Sequence, residues 1–318
     1  MKKVMACLLF SAVLIIGACS NSDNAEKDKA ENDKEIESEE GTRTYASDFG
    51  DVVVPANPQR VVMASWHYPG HLLSLGITPI AVYEMAKDSE FLGDQLKDVE
   101  VISDGSMEKI LALNPDLIIA NSNHENLDKL KEIAPTVVFE LGKDTRLETF
   151  LKIGEVVGKE GEAKKQMAQW EERVATSKQK FAEKFDMTQK ISVIGEYDKQ
   201  LYVYGPNHGR GTEVLYAALG LDYPQTLKDA LSKVDVNYHA FSEELLPDFI
   251  GDYVFVAGME KKKKSILDQP MYESLPVVQQ KRVHFIHEPT FYFSDPISLN
   301  GQLDFFERIL LGDAIKVK

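Results

Sequence analysis

The chain has 318 residues and carries a formal net charge of −15 at pH 7. An acidic chain lacks the basic face that a nucleic acid requires, so a nucleic-acid-binding protein is disfavoured. Roughly 275 residues follow the N-terminal 44, and that length is sufficient for two domains.

The first residues have the pattern of a bacterial lipoprotein signal. Lys2 and Lys3 precede an apolar run, Val4–Ile16, and two small residues stand directly before Cys19. We expect cleavage before Cys19, so that residues 1–18 are the signal peptide and Cys19 carries the lipid. The lipid would anchor the protein at the cell membrane, on the extracytoplasmic face.

The segment that follows is predicted to be a tether. Ser20–Glu40 contains nine acidic and three basic residues and almost nothing apolar, so it cannot form a core. We therefore assign residues 19–44 to the lipidated cysteine and a disordered tether. Loss of Cys7 with the signal would leave one cysteine, and no disulfide is expected.

From Tyr45 onwards, short β-branched segments alternate with amphipathic ones. This alternation is typical of βα units that build a mostly parallel sheet, and we assign residues 45–158 to an N-terminal lobe. The predicted strands are Val52–Val54, Arg60–Ala64, Ile80–Tyr83, Leu117–Ala120 and Thr136–Phe139. The predicted helices are His71–Leu75, Met107–Leu113 and Leu127–Ile133.

One long helix is predicted next. Its apolar residues recur at three- and four-residue steps and its other face is polar. A helix of about 25 residues spans roughly 38 Å, which is more than one small sheet requires. We interpret residues 159–187 as a strut between two lobes. The recurring apolar residues are Ala163, Met167, Trp170, Val174, Phe181 and Phe185.

The second half repeats the alternation, and residues 188–318 are predicted to form a C-terminal lobe. A local echo supports this division, because Glu108 and Glu244 each stand eight residues before an aspartate that opens an apolar strand. Two lobes of similar construction would show such a repeat. The predicted strands are Ile191–Glu196, Leu201–Tyr204, Tyr253–Ala257 and Val283–Ile286.

The stretch Gly195–Leu221 is the strongest indication of a ligand site. Its pattern predicts a strand, a turn at Asp198-Lys199, a second strand, a glycine-rich loop and a helix. The second strand would place Tyr202 and Tyr204 on the same face.

Arg210 is the centre of the glycine-rich loop. Gly209 and Gly211 flank it and allow backbone conformations closed to other residues, while His208 lies next to them. Thr212 is predicted to cap the following helix. An arginine held in this way suits an oxygen-rich, planar or anionic ligand, although a solvated arginine on an ordinary turn has the same pattern.

Aromatic residues follow other predicted strands. Trp66 and His67 come after one strand, Tyr83 ends another, and Tyr292 follows the last strand of the second half. The carboxyl ends of strands in open α/β sheets line the crevice where ligands bind. Each of these residues also fits a place in an aromatic core.

The sequence offers no clear enzymatic or metal motif. His67 and His71 have the spacing of a metal pair on a helix, but Pro69 and Gly70 between them disfavour that helix and no third ligand is near. No nucleophile motif, zinc-protease motif, phosphate loop or dinucleotide fingerprint is found. We predict no catalytic residues, no metal site and no protein-bound cofactor.

Together these residues resemble the iron–siderophore-binding lipoproteins of ABC importers, of the ferric-hydroxamate type. The resemblance runs from about Gly50 to the C-terminus. It implies an α/β fold of two Rossmann-like lobes joined by a single long helix, as in class III periplasmic binding proteins, with the ligand in a shallow cleft between the lobes. Its most specific parts are Ser106–Ser122, Ala134–Glu172, Asp198–Leu221 and Thr290–Pro296.

The resemblance also implies roles for particular residues. Arg210 would contact the oxygens around the iron, and Tyr202 would lie in the same pocket. Tyr292 and His208 fall where relatives carry tryptophan, so this more polar pocket favours a mixed citrate–hydroxamate ligand. The other expected ligand-binding residues are Trp66, His67 and Tyr83, and Glu108 and Glu244 match the positions that dock on a permease dimer.

The expected function is that of a monomeric, surface-tethered protein that captures a ferric siderophore and delivers it to an ABC permease. The siderophore would carry the iron. Binding of haem, ferric citrate or cobalamin is an alternative within the same transporter class. A surface hydrolase or metal enzyme, or a structural adhesin, are alternatives from other classes; the first would need a nucleophile–base pair or three metal ligands.

Overall fold

The computed structural model describes residues 41–197, 200–259 and 265–312. The predicted signal peptide, Cys19 and the Asp198-Lys199 turn lie outside the described residues. Within those described ranges, no helix is both long enough and apolar enough to cross a membrane.

The first half contains seven strands and seven helices among its described residues. The strands are β1 (Thr42–Ser47), β2 (Gly50–Pro55), β3 (Val61–Ala64), β4 (Ala81–Tyr83), β5 (Glu100–Ile102), β6 (Leu117–Asn121) and β7 (Thr136–Phe139). The helices are α1 (Pro69–Ser74), α2 (Glu84–Asp88), α3 (Gly93–Leu96), α4 (Met107–Ala112), α5 (Leu127–Ile133), α6 (Arg146–Val156) and α7 (Glu160–Lys184).

The second half contains strands β8 (Ile191–Tyr197), β9 (Gln200–Tyr204), β10 (Tyr238–Phe241), β11 (Tyr253–Gly258) and β12 (Val283–His287). Its α-helices are α8 (Gln225–Leu231), α9 (Leu246–Phe249), α10 (Pro276–Gln279), α11 (Glu288–Phe291) and α12 (Pro296–Leu311). A π-helix spans Glu213–Ala218, and short 3-10 helices span Glu243–Leu245, Ile266–Asp268 and Pro270–Tyr272.

The first lobe is built on a five-stranded parallel sheet with the order β5-β4-β3-β6-β7. Every residue of β3, β6 and β7 is buried. Continuous apolar strands of this kind are expected where helices cover both faces of a parallel sheet. An antiparallel hairpin of β1 and β2 stands apart from this sheet.

The second lobe is built on a five-stranded sheet with the order β10-β9-β8-β11-β12. Strands β8, β11 and β12 are parallel, whereas β9 and β10 run antiparallel to their neighbours. The sheet is therefore mixed, and the parallel arrangement expected from the alternation holds for three of its five strands.

Helix α7 connects the two lobes, as its length predicted. Ala163 is buried in the core of the first lobe, and Met167 packs against that core. Trp170 and Phe181, further along the same helix, are buried in a core of the second lobe. One helix therefore contributes its first half to one lobe and its second half to the other, and the expected fold class is confirmed.

Helix α1 begins earlier than predicted. Pro69 and Gly70 were expected to disfavour a helix between His67 and His71, yet Pro69 occupies the first turn of α1. Proline is favourable in a first turn, because the backbone N–H that it lacks would have no acceptor within the helix there. His71 is buried within α1, where its Nε2 hydrogen-bonds the Arg146 carbonyl oxygen at 2.9 Å.

The echo between the halves corresponds to equivalent positions in the two sheets. Asp116 precedes β6 and accepts hydrogen bonds from the backbone N–H groups of Gln59 at 2.7 Å and Arg60 at 2.9 Å, just before β3. Asp252 precedes β11 and accepts from the Lys190 N–H at 2.7 Å, just before β8. Each aspartate thus fastens the start of one central strand to the next.

Candidate ligand-binding site

The loop between β9 and the π-helix has an unusual backbone. Asn207, Gly209, Arg210 and Gly211 have φ angles of 60°, 74°, 58° and 85°. Glycine adopts positive φ readily, but an arginine at φ 58° is held there at a cost of order 1–3 kcal/mol. The two glycines therefore give Arg210 the backbone freedom that the sequence predicted, and strain of this kind concentrates at functional sites.

Side chains that follow the loop lock it in place. The Thr212 hydroxyl donates to the Gly209 carbonyl oxygen at 2.9 Å and accepts from the His208 N–H at 2.9 Å. Glu213 accepts from the Gly209 N–H at 2.9 Å. The prediction that Thr212 caps the next helix is wrong, since its hydroxyl is engaged with the loop and makes no capping bond.

Arg210 lies among aromatic rings with one acidic partner. Its guanidinium carbon is 4.4 Å from the centroid of the Tyr204 ring and 5.3 Å from that of Tyr292, and it forms an ion pair with Glu288. Its Nε is buried and has no hydrogen-bond partner among the described residues. A buried N–H without an acceptor is costly, so the unpaired Nε is an unusual feature of this side chain.

The pocket in front of Arg210, which we call the Arg210 cavity, is small and aromatic. Its volume is about 190 Å³. Tyrosine hydroxyls and a guanidinium provide hydrogen-bond donors for a chelate rich in oxygen. It is lined by Tyr197, Tyr202, Tyr204, His208, Arg210, Tyr238 and Glu288.

His208 forms a wall of this cavity. Its ring stacks on Tyr204 with a centroid distance of 5.3 Å and an interplanar angle of 12°, and lies 5.0 Å from the Tyr238 ring. Burial, with a smaller contribution from Arg210, lowers the pKa of His208 to about 4. The imidazole is therefore neutral at physiological pH.

The first lobe contributes a second aromatic pair. Trp66 stacks on Tyr83 with a centroid distance of 4.2 Å, and 43% of Trp66 is exposed. The Tyr83 hydroxyl donates to Asp104. Burial and this carboxylate raise the pKa of Tyr83, so the ring stays neutral. The pair offers an exposed indole face where the sequence predicted a ligand wall.

His67 and Tyr292 join the two lobes at the cleft. Their rings stack at 5.6 Å, and the Tyr292 hydroxyl and His67 Nδ1 share a hydrogen bond of 3.1 Å. Burial, followed by the charge of Arg146, lowers the pKa of His67 to about 3. Tyr292 thus links His67 of the first lobe to Arg210 of the second.

Comparison with known proteins identifies the family of this fold. Residues 61–290 match the family model described as periplasmic binding protein.

The chain belongs to this family.

The relatives of this binding protein cover nearly its full length. It is 33% identical to the iron(3+)-hydroxamate-binding protein FhuD of Bacillus subtilis, across 97% of this chain and 98% of the relative. It is 32% identical to YxeB, an iron(3+)-hydroxamate-binding protein of the same organism, across 96% and 95%. The structure of FhuD2 from Staphylococcus aureus with bound ferrioxamine B superposes with a TM-score of 0.75 at 29% identity, covering 80% of this chain and 99% of that one. The resemblance drawn from the sequence is confirmed at the level of the family, whose members are binding proteins rather than enzymes.

Sequence reasoning missed several residues of the binding protein's site. Arg146 opens α6, and its guanidinium carbon is 5.6 Å from the Tyr292 centroid, on the first-lobe side. Tyr197, Tyr238 and Glu288 line the Arg210 cavity from three separate segments. The aromatic residues at the ends of β8 and β10 were a signal for the two tyrosines, whereas the partners of Arg146 and Glu288 depend on contacts between distant segments.

The two predicted docking residues lie apart from this set. Glu108 is exposed in the first turn of α4, and Glu244 is exposed in the 3-10 helix that leads into α9. A hydrogen bond from the Ser242 side chain lowers the pKa of Glu244. Each glutamate precedes the aspartate of its own lobe, so the two occupy equivalent positions in the two lobes.

Across the described ranges, no group of three or more His, Cys, Asp or Glu side chains is arranged to hold a metal ion. His71 is buried in α1 and bonded to a backbone carbonyl. His67 instead pairs with Tyr292. The two histidines that have metal-pair spacing in the sequence therefore have separate partners in the structure.

Proposed function

We propose that this binding protein captures a ferric siderophore of the hydroxamate or citrate–hydroxamate class and delivers it to an ABC permease for iron uptake. The single observation that carries this proposal is Arg210. Its guanidinium is partly buried, its backbone is strained, its Nε has no partner among the described residues, and the rings of Tyr204 and Tyr292 lie against it. The names of FhuD and YxeB, and the ferrioxamine B bound to FhuD2, support the choice of ligand class.

The chemistry of the site suits an iron chelate whose ligands are already complete. The siderophore supplies the oxygens around the iron, and Arg210 donates hydrogen bonds to them. Tyr202 and Trp66 provide aromatic walls, and the neutral His67 and His208 add polar contacts without charge. The protein acts by binding, without catalysis and without a cofactor of its own.

The charges of the site favour chelates of low net charge. Glu288 accompanies Arg210 as an ion pair, and Glu213 lies 3.8 Å from Arg146. Both arginines thus have acidic neighbours, which oppose a polyanionic ligand such as ferric citrate. His208 stacks on Tyr204 and lies beside Tyr238. This position suits a wall of the cavity better than an axial ligand to haem.

Delivery to the membrane completes the proposal. Glu108 and Glu244 present one carboxylate from each lobe, and each can form a bidentate pair with an arginine of a permease dimer. Cys19 carries the lipid that holds the protein, as a monomer, on the extracytoplasmic face of the cell membrane. The proposed organisation has a signal peptide at residues 1–18 and two lobes at residues 45–158 and 188–318. The helix between the lobes spans residues 159–187.

Titration of the full-length protein in detergent micelles tests the ligand class. A ferric trihydroxamate, a ferric citrate–hydroxamate, ferric citrate, haem and cobalamin are compared by calorimetry under one set of conditions. We expect one of the two hydroxamate-containing chelates to bind most tightly. Tighter binding of haem or cobalamin than of every siderophore would overturn the proposal.

A further inference from the structure

The Arg210 cavity is too small to hold a whole siderophore. Its volume of about 190 Å³ lies below the roughly 300–1,000 Å³ of pockets that enclose drug-sized ligands. A second cavity of about 870 Å³ lies beside it, between the two lobes, and we call it the large cavity. The ring of His208 lines both, so the two spaces meet at that side chain.

Part of the lining of the large cavity is apolar. Helix α7 contributes Trp170 and Val174 beside the charged Glu171 and Lys178, and the π-helix contributes Ala217 and Ala218. Leu147 closes the side that belongs to α6. The apolar side chains offer a surface that favours methylene groups over water.

Polar groups in the large cavity indicate a ligand with hydrogen-bonding atoms. Ser294 lines the cavity and is only 1% exposed, and its hydroxyl oxygen has no hydrogen-bond partner among the described residues. Arg146 lines the same space, and its Nε lies 3.8 Å from Glu213, beyond hydrogen-bonding distance. A buried hydroxyl without a partner is costly, and an amide group placed beside it removes that cost.

We propose that the large cavity is a second compartment of the ligand site, which receives the free aliphatic, amide-bearing arm of a linear ferric hydroxamate. The proposal rests on the proposed function. The iron chelate faces Arg210, and the arm passes beside His208 towards Trp170. An imidazole at this position occupies less space than a larger aromatic ring and leaves the passage open.

A series of ferrioxamine ligands separates the chelate from the arm. The macrocyclic ferrioxamine has no free arm, ferrioxamine B has a free aminoalkyl chain, and acylation of its amine lengthens that chain in steps. Calorimetry with the full-length protein should show affinity rising along the acyl series relative to the macrocycle. Each pair of methylene groups that becomes buried corresponds to about a tenfold gain in affinity. A flat series would overturn the second compartment while macrocycle binding still supports the proposed function, and loss of binding for every ligand would overturn both.

Two variants test the location of the arm. Ala217 is exposed and faces the large cavity, so Ala217→Phe fills that space without disturbing the core. It should remove most of the gain along the acyl series, whereas the matched change Ala112→Phe, at an exposed position of α4 that does not line the cavity, should not. Ser294→Ala removes the unpaired hydroxyl and should weaken the acylated ligands relative to the macrocycle. Equal effects of Ala217→Phe and Ala112→Phe on the ligand series would overturn the proposal.

A contact quencher gives a readout that is independent of affinity. The chain has two tryptophans, so Trp66→Phe leaves Trp170 as the single reporter. The gallium complex of ferrioxamine B, acylated with a chain that ends in bromine, should quench Trp170 emission, because heavy-atom quenching requires contact. The same complex without bromine is the control. Absence of bromine-dependent quenching at saturation would overturn the proposal even if the other variants failed to fold.

Discussion

In the first lobe the outer strands β4 and β5 run parallel to the rest of the sheet, whereas in the second lobe β9 runs antiparallel to both of its neighbours, β8 and β10. In the first lobe, the predicted ligand-binding residues Trp66 and Tyr83 lie at the carboxyl ends of parallel strands. In the second lobe, Tyr202 and Tyr204 lie on one face of β9, and Tyr238 of β10 pairs with Tyr204. Residues opposite one another in an antiparallel pair share a face, so this lobe presents a tyrosine surface to the Arg210 cavity.

Gly195 leaves space for the Tyr204 side chain of this surface. Gly195 in β8 is paired with Tyr202, and a Cβ at Gly195 would lie 2.7 Å from the Tyr204 hydroxyl oxygen. The Tyr204 ring can therefore lie across the neighbouring strand. From this comparison we expect the second lobe to contribute most of the affinity, while each lobe carries one strand-fastening aspartate and one proposed docking glutamate.

The largest expected effect concerns the proposed docking, to which each lobe contributes one glutamate. The double change Glu108→Ala and Glu244→Ala should abolish siderophore-dependent iron uptake in cells, because two arginine partners on the permease lose their carboxylates. Each single change should reduce uptake to a similar degree. Uptake of radioactive iron as the siderophore complex measures this, with ligand affinity of the purified variants as the control. Normal uptake by a well-expressed double variant would leave each glutamate as a helix-end residue favoured by the dipole.

Arg210→Ala should show the dominance of the second lobe in binding. A hydrogen bond to a charged group contributes about 1.5–3 kcal/mol, so the dissociation constant should rise roughly ten- to a hundredfold. Trp66→Ala in the first lobe loses an aromatic contact of about 0.5–1.5 kcal/mol and should cost roughly two- to tenfold. Calorimetry with one ferric trihydroxamate compares the two variants. A larger loss for Trp66→Ala would reverse the roles of the lobes.

The aspartates that fasten the central strands should differ in their contribution to stability. Asp116 is half-buried and accepts two backbone hydrogen bonds, while Asp252 is exposed and accepts one. Asp116→Ala should lower the free energy of unfolding by about 1.5–3 kcal/mol, and Asp252→Ala by about 0.5–1.5 kcal/mol. Urea denaturation measures both values. Equal losses of unfolding free energy would show that Asp252 stabilises the fold as much as Asp116 does, despite its greater exposure.

A further expected effect, small for each residue, is acid sensitivity. Burial lowers the pKa of His67 and His71 to about 3 and that of His208 to about 4, from 6.5. The unfolded chain then binds more protons, so this stability is present above pH 6.5 and is lost as the pH falls towards 4. The loss is roughly 1 kcal/mol per histidine at one pH unit below 6.5.

Thermal unfolding between pH 7.5 and 5 measures this slope. His208→Asn removes one of five histidines whose pKa is lowered and should flatten the slope, leaving His67, His71 and His124 in the first lobe and His284 in the second. An unchanged slope in that variant would mean that His208 is protonated in the folded protein. The control is Lys178→Ala, which changes a charge on α7 and no histidine.

Local sequence patterns determined many of the elements. Buried strands such as Thr136–Phe139 are short, apolar and β-branched, and the strut has a clear helical period, so both are recognisable without tertiary context. The Arg210 loop was also predictable, since positive φ at neighbouring positions requires glycine on either side. Of the predicted ligand-binding residues, Tyr202, His208 and Arg210 line one cavity, because a strand and the loop that follows it carry all three.

Only the tertiary structure decided how those elements meet. Strand direction in β9 and β10 is not encoded in the local period, because parallel and antiparallel strands have the same alternation of faces. Arg146 and Glu288 join the site through contacts with partners more than sixty residues away in the chain. Thr212 was predicted to cap the helix because threonine is a common capping residue. In the structure its hydroxyl hydrogen-bonds the preceding loop instead. Local propensity selects the elements, and long-range packing, in which distant segments compete for the same polar groups, selects their partners.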